Sequence, residues 1–268
     1  MESALSHFSS TRTSRGNAFE YGGARRSGEL AIELGPPAVA ETRLTLVEVH
    51  EVFPRKRSEA LSRALNVTIA VLAMLVLSPI LALVALAVRL TSRGPILYTQ
   101  VRVGMDRRYR STHAVERRGY DHGGRLFKMY KFRSMQVDAE PDGKAVWATR
   151  SDPRTTPVGA ILRRTRLDEL PQLYNVIRGD MNIVGPRPER PTIFAEMRQT
   201  IPGYHHRQRV RPGITGWAQI NQSYDACVDD VRSKVRYDLE YVRRQSMLED
   251  VRIMSLTLPV MLFRRGGW

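Results

Sequence analysis

Two adjacent carboxylates, Asp168 and Glu169, are the residues of this sequence best suited to chemistry, and Gly185–Pro188 follows them within twenty residues. Basic side chains surround the pair along the chain: they are Arg150, Arg154, Arg163, Arg164, Arg166, Arg178, Arg187 and Arg190. The fork of a guanidinium group matches the oxygens of a phosphate, so this neighbourhood predicts phosphate chemistry. Two anions among many cations further predict a divalent metal ion and a phosphorylated substrate.

The local pattern places these carboxylates at the start of a helix. A short helix is predicted from Thr156 to Thr165, with Pro157 near its start, and a second helix is predicted to begin near Asp168 with Pro171 in its first turn. The positive end of the helix dipole would then favour ionised carboxylates and a phosphate bound nearby. Helix capping alone also explains an acidic pair at a helix start, and it is the commoner explanation.

The strand patterns lie upstream of this pair. Apolar and basic residues alternate from Leu126 to Met135, which predicts a strand whose basic face meets phosphates or simply faces water. Gln100–Gly104 predicts another short strand. Between the two, Met105–Gly124 is polar and rich in arginine and glycine, which predicts an exposed loop.

The C-terminal part predicts one amphipathic helix and one membrane-surface segment. The helix is indicated by apolar residues three or four apart, namely Val228, Val231, Val235, Leu239 and Val242. Val251–Phe263 is nearly all apolar and precedes Arg264-Arg265, which suits a segment in the membrane interface, although core packing produces the same pattern. Before these, the basic turn Arg207–Trp217 would suit a second anionic group.

Composition limits the partners and the cellular compartment. The chain has 268 residues and a formal charge of +15, which predicts one substantial core and an anionic partner. The single cysteine, Cys227, excludes an internal disulfide and fits a reducing compartment. His205 and His206 are sequence neighbours, so they cannot share one helix face as a metal pair.

The first 57 residues predict a variable, mostly disordered extension, in which residues 44–52 are the one candidate strand. The first thirty residues contain no apolar stretch of the kind found in a cleavable secretory signal, so we expect the chain to start in the cytoplasm.

Residues 58–93 contain the predicted membrane segment. From Ala64 to Val88 the chain has 25 residues without a charge, which is long enough for a membrane-crossing helix. Pro79 interrupts it and leaves the Leu75 carbonyl without its helical donor, a loss that the Ser78 hydroxyl can soften. Both flanks are basic, so the positive-inside rule gives no orientation, and a helix that enters and returns to the same side would satisfy both flanks. The residues alone slightly favour an ordinary kinked transmembrane helix.

In combination, these blocks resemble the bacterial sugar transferase family, the monotopic polyprenyl-phosphate phosphoglycosyl transferases. The resemblance covers roughly residues 60–263. The motifs that carry it are Ser78-Pro79, Lys128–Met135, Ser151–Arg154, Leu162–Leu173, Arg178–Met181, Val184–Pro188 and Arg211–Gln219. The family implies an α+β, mainly helical fold. A re-entrant membrane helix broken at Ser78-Pro79 would precede a small cytoplasmic catalytic domain, residues 94–268, with short strands and interfacial helices.

The resemblance implies transfer of a sugar-1-phosphate from a UDP-sugar to undecaprenyl phosphate, with release of UMP. By position in the motif, Asp168 would be the nucleophile that forms an aspartyl phosphosugar, and Glu169 would bind Mg²⁺ with it or orient it. The implied phosphate-binding residues are Arg163, Arg187, Lys131 and Arg211. The implied setting is the cytoplasmic face of the bacterial inner membrane, in exopolysaccharide, capsule or lipopolysaccharide synthesis. A homodimer is left open.

The sequence departs from the family between Val103-Gly104 and Phe127. Where the family has a short turn, this chain has about sixteen extra residues, several of them arginine. A surface insertion is one explanation, and contact with lipid headgroups or a partner is the other.

The rival hypothesis from another class is a basic, membrane-anchored protein that binds a polyanion such as a nucleic acid. Such a protein needs no acidic pair within its basic region. The presence of Asp168 and Glu169, the few aromatic residues for base stacking and the bilayer-length apolar run favour the enzyme, with no nucleic acid as partner.

Overall fold

The computed structural model describes residues 51–110, 121–137, 139, 152–222 and 228–263. Its elements, in chain order, are α1 (Glu59–Thr91), β1 (Leu97–Val103), β2 (Leu126–Phe132), α2 (Pro157–Thr165), α3 (Gln172–Arg178), β3 (Asn182–Val184), α4 (Pro191–Thr200), β4 (Gly213–Thr215), α5 (Trp217–Asn221), α6 (Val228–Arg244) and α7 (Met247–Phe263). The prediction of a mainly helical α+β chain with short strands is confirmed. Residues 1–50, the centre of the insertion at 111–120, Cys227 and Arg264-Arg265 lie outside the described residues.

Helix α1 is one continuous element of 33 residues. It is long and apolar enough to cross a membrane, and only 11% of its most apolar stretch is buried within the protein. Pro79 lies inside the helix, so the predicted break does not end it. Ser78 donates its hydroxyl to the Leu75 carbonyl at 2.8 Å. Because this carbonyl is the one that Pro79 leaves without a donor, the hydroxyl partly replaces the missing bond and helps the helix to continue.

The first half of α1 is fastened to the domain by polar side chains. Asn66 is buried and accepts a hydrogen bond from the Ile183 N–H at 2.7 Å. Arg63 donates to the carbonyls of Val176 and Ile177 at the end of α3. A cation at a helix C-terminus satisfies its open carbonyls and complements the dipole. This part of α1 is therefore held by the domain that α3 and β3 belong to.

The second half of α1 packs on the same domain. Val84 and Val88 are buried in a cluster with Phe132 and Leu162. At the end of the helix, the buried guanidinium group of Arg133 donates to the Arg93 carbonyl at 2.7 Å, and to the carbonyl and hydroxyl of Ser92 at 2.8 Å each. The segment that follows β2 thus anchors the C-terminus of the apolar helix.

Strands β1 and β2 pair antiparallel, with Leu97 opposite Phe132 and Val103 opposite Leu126. The observed β2 is shorter than the predicted strand because its partner begins at Leu97, and Met135 forms only an isolated bridge with Thr155. Alternation along β2 places Lys131 on the same face as the buried Phe127 and Met129. Lys131 therefore lies on the inner face of the strand rather than on the face exposed to water.

The C-terminal helices complete the core. The predicted amphipathic helix is confirmed as α6, whose Val231, Val235 and Val242 are buried. Helix α7 covers the segment predicted for the membrane interface. It buries Ile253, whereas Leu248 is 84% and Leu258 64% exposed.

Residues 51–57, the end of the predicted extension, are packed on this core. Val52 is 1% exposed, the Arg55 N–H donates to the Val242 carbonyl at 3.2 Å, and Arg57 pairs with Asp250 at 2.7 Å. Val52 and Phe53 are two adjacent apolar residues among charged ones, which is too short a stretch to show periodicity, so the sequence pattern gives no sign of this packing.

Candidate active site

The acidic pair lies in a tight turn between α2 and α3. Helix α2 ends at Thr165, and its C-cap is Arg166, the one non-glycine residue with a positive φ (59°) among the described residues. The chain then forms a 3-10 helix, Leu167–Glu169. The prediction that an α-helix begins near Asp168 is corrected, because α3 begins only after Pro171. Proline has no N–H to donate to the Leu167 carbonyl, and a 3-10 bond from Leu170 at 3.3 Å takes its place.

Helix α2 is fixed close to the end of β2, which brings the turn beside Lys131. Thr156 caps the helix, as its side chain accepts from the Gly159 N–H at 3.0 Å. A side chain at Gly159 would overlap the Ser134 carbonyl, so only glycine allows this approach.

Glu169 is paired with two cations. Its carboxylate accepts from the Lys131 ammonium at 3.0 Å and from the Arg187 guanidinium at 2.6 Å and 3.4 Å. Burial alone would raise the pKa of Glu169, but the charges of Arg187 and Lys131 outweigh it and hold this pKa well below the ordinary value. Glu169 is therefore an ionised anchor for two basic side chains.

Asp168 is in the opposite situation. Its side chain is buried, with the residue 6% exposed, and makes no hydrogen bond or ion pair with another described residue. Burial raises the pKa of Asp168; Lys131 opposes this shift and the neighbouring Glu169 adds to it. The protein thus holds one carboxylate next to cations without using it in a structural bond.

A pocket of about 720 Å³ opens above the pair. Its charged lining residues are the acids Asp168 and Glu169 and the bases Arg102, Lys131, Arg133, Arg154, Arg163, Arg166, Arg187 and Arg190. Of the six residues predicted as catalytic or phosphate-binding, five therefore meet in one pocket. Arg211 does not line it but lies in two other cavities, and its role stays a prediction.

Arg102 reaches this pocket from β1 and was not among the site residues predicted from the sequence. Its guanidinium donates to the Gln100 side chain at 2.5 Å and to the Pro188 carbonyl at 3.1 Å. Burial lowers the pKa of Arg102 to about 10. The signal was the alternation of Tyr98, Gln100 and Arg102, which gives β1 a polar face that lines the pocket.

A buried charge cluster supports the pocket from behind. Arg207, 1% exposed, donates to Asp238 at 2.6 Å and 3.0 Å and to the Arg187 carbonyl at 3.1 Å. Glu189 pairs with Lys234 at 3.1 Å and with Arg207 at 3.5 Å. These bonds fix the backbone that carries Arg187, so they set the position of its guanidinium group opposite Glu169.

The predicted magnesium ion can be tested against these side chains. Mg²⁺ is commonly held through one or two carboxylates, with water and substrate phosphates completing its shell. The Asp168 carboxylate lies on the pocket wall without a partner among the described side chains, and it fits this role. Glu169 fits it less directly, because both of its oxygens already accept from cations. Among the described residues no group of three or more His, Cys, Asp or Glu side chains could hold a metal. The site therefore fits a magnesium ion that is bound jointly by Asp168 and a substrate phosphate.

The fold and the pocket together define a domain that carries one helix long and apolar enough to cross a membrane and that holds an acidic pair among cations. The chain belongs to the bacterial sugar transferase family, whose model matches residues 57–264. The resemblance predicted from the sequence motifs is thereby confirmed.

Three relatives show what the chain is similar to. It is 44% identical over 200 residues to the UDP-glucose:undecaprenyl-phosphate glucose-1-phosphate transferase of Escherichia coli K12, covering 74% of this chain and 39% of that protein. It is 39% identical over 230 residues to a UDP-N-acetylgalactosamine-undecaprenyl-phosphate N-acetylgalactosaminephosphotransferase of Aeromonas hydrophila, covering 84% and 50%. It is 37% identical over 214 residues to the exopolysaccharide production protein PSS of Rhizobium leguminosarum bv. phaseoli, covering 78% and 98%. The chain thus spans half or less of the first two relatives and nearly all of the third.

Proposed function

We propose that this protein transfers a sugar-1-phosphate from a UDP-sugar to undecaprenyl phosphate and releases UMP. The observation that carries the proposal is the unpaired carboxylate of Asp168 in a pocket of cations, beside the end of an apolar helix. The names of the relatives in Escherichia coli and Aeromonas hydrophila support the same reaction class and leave the sugar open, since one is a glucose and the other an N-acetylgalactosamine transferase.

In the first step, a carboxylate oxygen of Asp168 attacks the phosphorus that carries the sugar. The bond from this phosphorus to the UMP oxygen breaks, UMP leaves, and an aspartyl phosphosugar remains. In the second step, an oxygen of undecaprenyl phosphate attacks the same phosphorus. The bond to Asp168 breaks, which restores the carboxylate and yields the lipid diphosphate sugar. An acyl phosphate keeps the group-transfer potential of the diphosphate, so the second step is not uphill.

Attack of one anion on another requires neutralisation of charge. Lys131 and Arg187 are held by Glu169 beside Asp168, where they can bind the oxygens of the reacting phosphate. Arg163 and Arg102 line the same pocket, and in this proposal they bind the second phosphate of the donor. Mg²⁺, when bound at Asp168, would supply further neutralisation of the diphosphate.

We further propose that α1 enters the membrane and returns to the cytoplasmic face. Both Asn66 in its first half and Val88 in its second half contact the same domain, and Arg133 holds its end. A helix that crossed the bilayer would leave one end on the opposite side, out of reach of that domain. A domain on the cytoplasmic face of the inner membrane would then meet both the soluble nucleotide sugar and the lipid phosphate.

The biological role that we propose is the first step of exopolysaccharide or another surface-glycan synthesis. The name of the Rhizobium leguminosarum relative supports an exopolysaccharide. The reaction is consistent with such a first step, because the lipid diphosphate sugar that it makes can accept further sugars.

The activity is tested by measuring UMP release from a panel of UDP-sugars with detergent-purified protein and Mg²⁺, with and without undecaprenyl phosphate. The proposal expects lipid-stimulated UMP release, and the sugar that gives it identifies the donor. Absence of release across UDP-sugars and other nucleotide sugars, with retained binding of polyanions, would favour the membrane-anchored binding protein instead.

The topology is tested with single cysteines at Ala60→Cys and Arg93→Cys, in a Cys227→Ser background. Both positions are exposed and lie at or just beyond the two ends of α1. A membrane-impermeant thiol reagent should label both from the cytoplasmic side of inverted vesicles. Labelling of the two positions from opposite sides would establish a crossing helix.

A further inference from the structure

A second basic groove lies apart from the active-site pocket. It consists of two cavities of about 590 Å³ and 570 Å³, which share Met105 and Arg211 in their walls. Among the residues that the structure describes, neither cavity shares a lining residue with the active-site pocket. The groove therefore accounts for Arg211, the one predicted phosphate-binding residue that the active-site pocket leaves out.

The charge of this groove is strongly positive. Eight basic residues line it, against the acids Glu59 and Asp180; they are Arg55, Lys56, Arg57, Arg107, Arg108, Arg125, Arg209 and Arg211. Some of them are used by the fold, such as Arg57, which pairs with Asp250 at 2.7 Å, and Arg209, which donates to the Val52 carbonyl at 2.8 Å.

Four of these basic side chains have no such structural use. Arg55, Lys56, Arg107 and Arg125 form no side-chain hydrogen bond or ion pair with any residue that the structure describes. Their cationic groups are thus available to an anion that enters the groove.

A buried polar atom in the same groove lacks a hydrogen-bond donor among the described residues. Asn182 lines the first cavity and is 2% exposed. Its amide oxygen is buried without a hydrogen-bond partner among the described residues. Buried polar atoms are rarely left unpaired, so a ligand that combines an anion with a hydroxyl group would match both features.

The position of the groove indicates where that ligand comes from. Its residues Phe53–Arg57 lead directly into Ser58, the cap of α1, and Ser62 lies in the same wall just before the apolar run. Phe53 is 56% exposed and its ring lies 4.5 Å from the Arg209 guanidinium carbon. Aromatic and basic residues next to an apolar helix are typical of the headgroup layer.

We propose that this groove binds the headgroup of an anionic phospholipid that carries hydroxyl groups, such as phosphatidylglycerol. The lipid phosphate lies among the unpaired cations, and a headgroup hydroxyl donates to Asn182. This site holds the domain against the bilayer beside the start of α1. The inference rests on the proposed membrane position of α1 but not on turnover.

The test is thermal unfolding of the full chain in neutral detergent, titrated with phosphatidylglycerol or with phosphatidylcholine as the uncharged comparison. We expect phosphatidylglycerol alone to raise Tm in a saturable way. Lys56→Gln/Arg125→Gln should raise the half-saturating concentration of phosphatidylglycerol roughly tenfold, because each basic residue near an anionic headgroup contributes a several-fold factor to the affinity. Phosphatidic acid, whose headgroup lacks the glycerol hydroxyls, is titrated as a third lipid. Asn182→Ala should remove the wild-type protein's preference for phosphatidylglycerol over it.

Two controls separate this site from general charge and from catalysis. Arg232→Gln/Arg236→Gln removes the same charge from exposed positions of α6 and should leave the titration unchanged. Asp168→Asn should also respond like the wild type, even if UMP release fails. An equal response of the Lys56→Gln/Arg125→Gln protein, or the same Tm rise with inorganic phosphate at matched ionic strength, would overturn the lipid site. The phosphate result would indicate a soluble anion instead.

Discussion

The active-site pocket and the charge cluster behind it are built from the same residue types, but they differ in how the charges are matched. In the cluster, Asp238 pairs with Arg207 at 2.6 Å and Glu189 with Lys234 at 3.1 Å. In the pocket, cations outnumber acids, and Asp168 is buried without any bond to a described side chain. Asp168 and Asp238 are both buried, at 6% and 1% exposed, so exposure of the carboxylates to solvent does not explain the difference.

The difference separates a structural use of charge from a chemical one. A buried ion pair is tolerated when each charge finds its partner, and breaking it is costly. A buried carboxylate without a partner lowers stability and persists where its reactivity is needed. The two uses occur side by side. Glu169 is bound to Lys131 and Arg187, whereas Asp168 has no partner among the described side chains.

The largest effect is expected for Asp168→Asn, which should reduce UMP release by about 10³-fold or more because the amide is no nucleophile. The folded state of this variant should be at least as stable as that of the wild type. The raised pKa of Asp168 means that the folded state binds the proton more tightly than the unfolded chain, so ionised Asp168 lowers stability at neutral pH. Tm at pH 7.5 should therefore stay equal or rise; a large fall in Tm would show that Asp168 has a structural role.

Asp238→Asn should produce the opposite pattern, a loss of stability of about 3 to 5 kcal/mol, because Arg207 would stay buried with its main partner removed. Tm should then be roughly 10 °C lower than that of the wild type. Asp229→Asn is the matched control, since Asp229 pairs with Arg232 on the exposed surface of α6 and should change Tm little. Similar Tm values for the two variants would contradict the structural assignment of the cluster.

Glu169→Gln should combine a smaller loss of stability, about 1 to 3 kcal/mol at neutral pH, with a loss of activity, because Lys131 and Arg187 lose their anchor. The pKa of Glu169 is depressed in the folded state, so its stabilisation is present above the ordinary value of 4.5 and is lost as the pH falls. The Tm difference from the wild type should accordingly shrink in acid. A difference that is constant with pH would show that the ion pairs do not cause it.

The smallest expected effect concerns the pH dependence of the first step. Because burial raises the pKa of Asp168, the acid limb of kcat/KM for UMP release should lie above the ordinary value of 3.8. Glu169→Gln removes a neighbouring negative charge and frees two cations, so the limb should shift to lower pH. A shift to higher pH in that variant would contradict the electrostatic account.

Much of this molecule is predictable from the sequence because its signals are local. The apolar run predicted α1, the stripe of valines predicted α6, and Thr156-Pro157 predicted the start of α2. The residue types of the acidic pair and its cations predicted a phosphate site, and five of the six predicted catalytic or phosphate-binding residues line one pocket.

The remainder depends on contacts between distant segments. No pattern around Arg207 indicates that it is buried beneath Arg187, because its partner Asp238 lies 31 residues away. The place of Lys131 on the inner face follows from how β2 packs on the core, and alternation alone cannot tell which face is buried. Arg211 carries the same charge as Arg187, so residue type alone cannot separate them. Arg211 lines another groove because β3 pairs in parallel with β4, a long-range contact that the local sequence does not show.

The most direct test of the account is to trap the phosphosugar on the protein. The chain would be incubated with its UDP-sugar and Mg²⁺ without undecaprenyl phosphate, quenched, digested with trypsin and analysed by mass spectrometry. The account predicts a sugar-phosphate adduct on Asp168 in the peptide Leu167–Arg178, which disappears when undecaprenyl phosphate is added. An adduct on another residue, or substantial UMP release by Asp168→Asn, would contradict the assignment of Asp168 as the nucleophile.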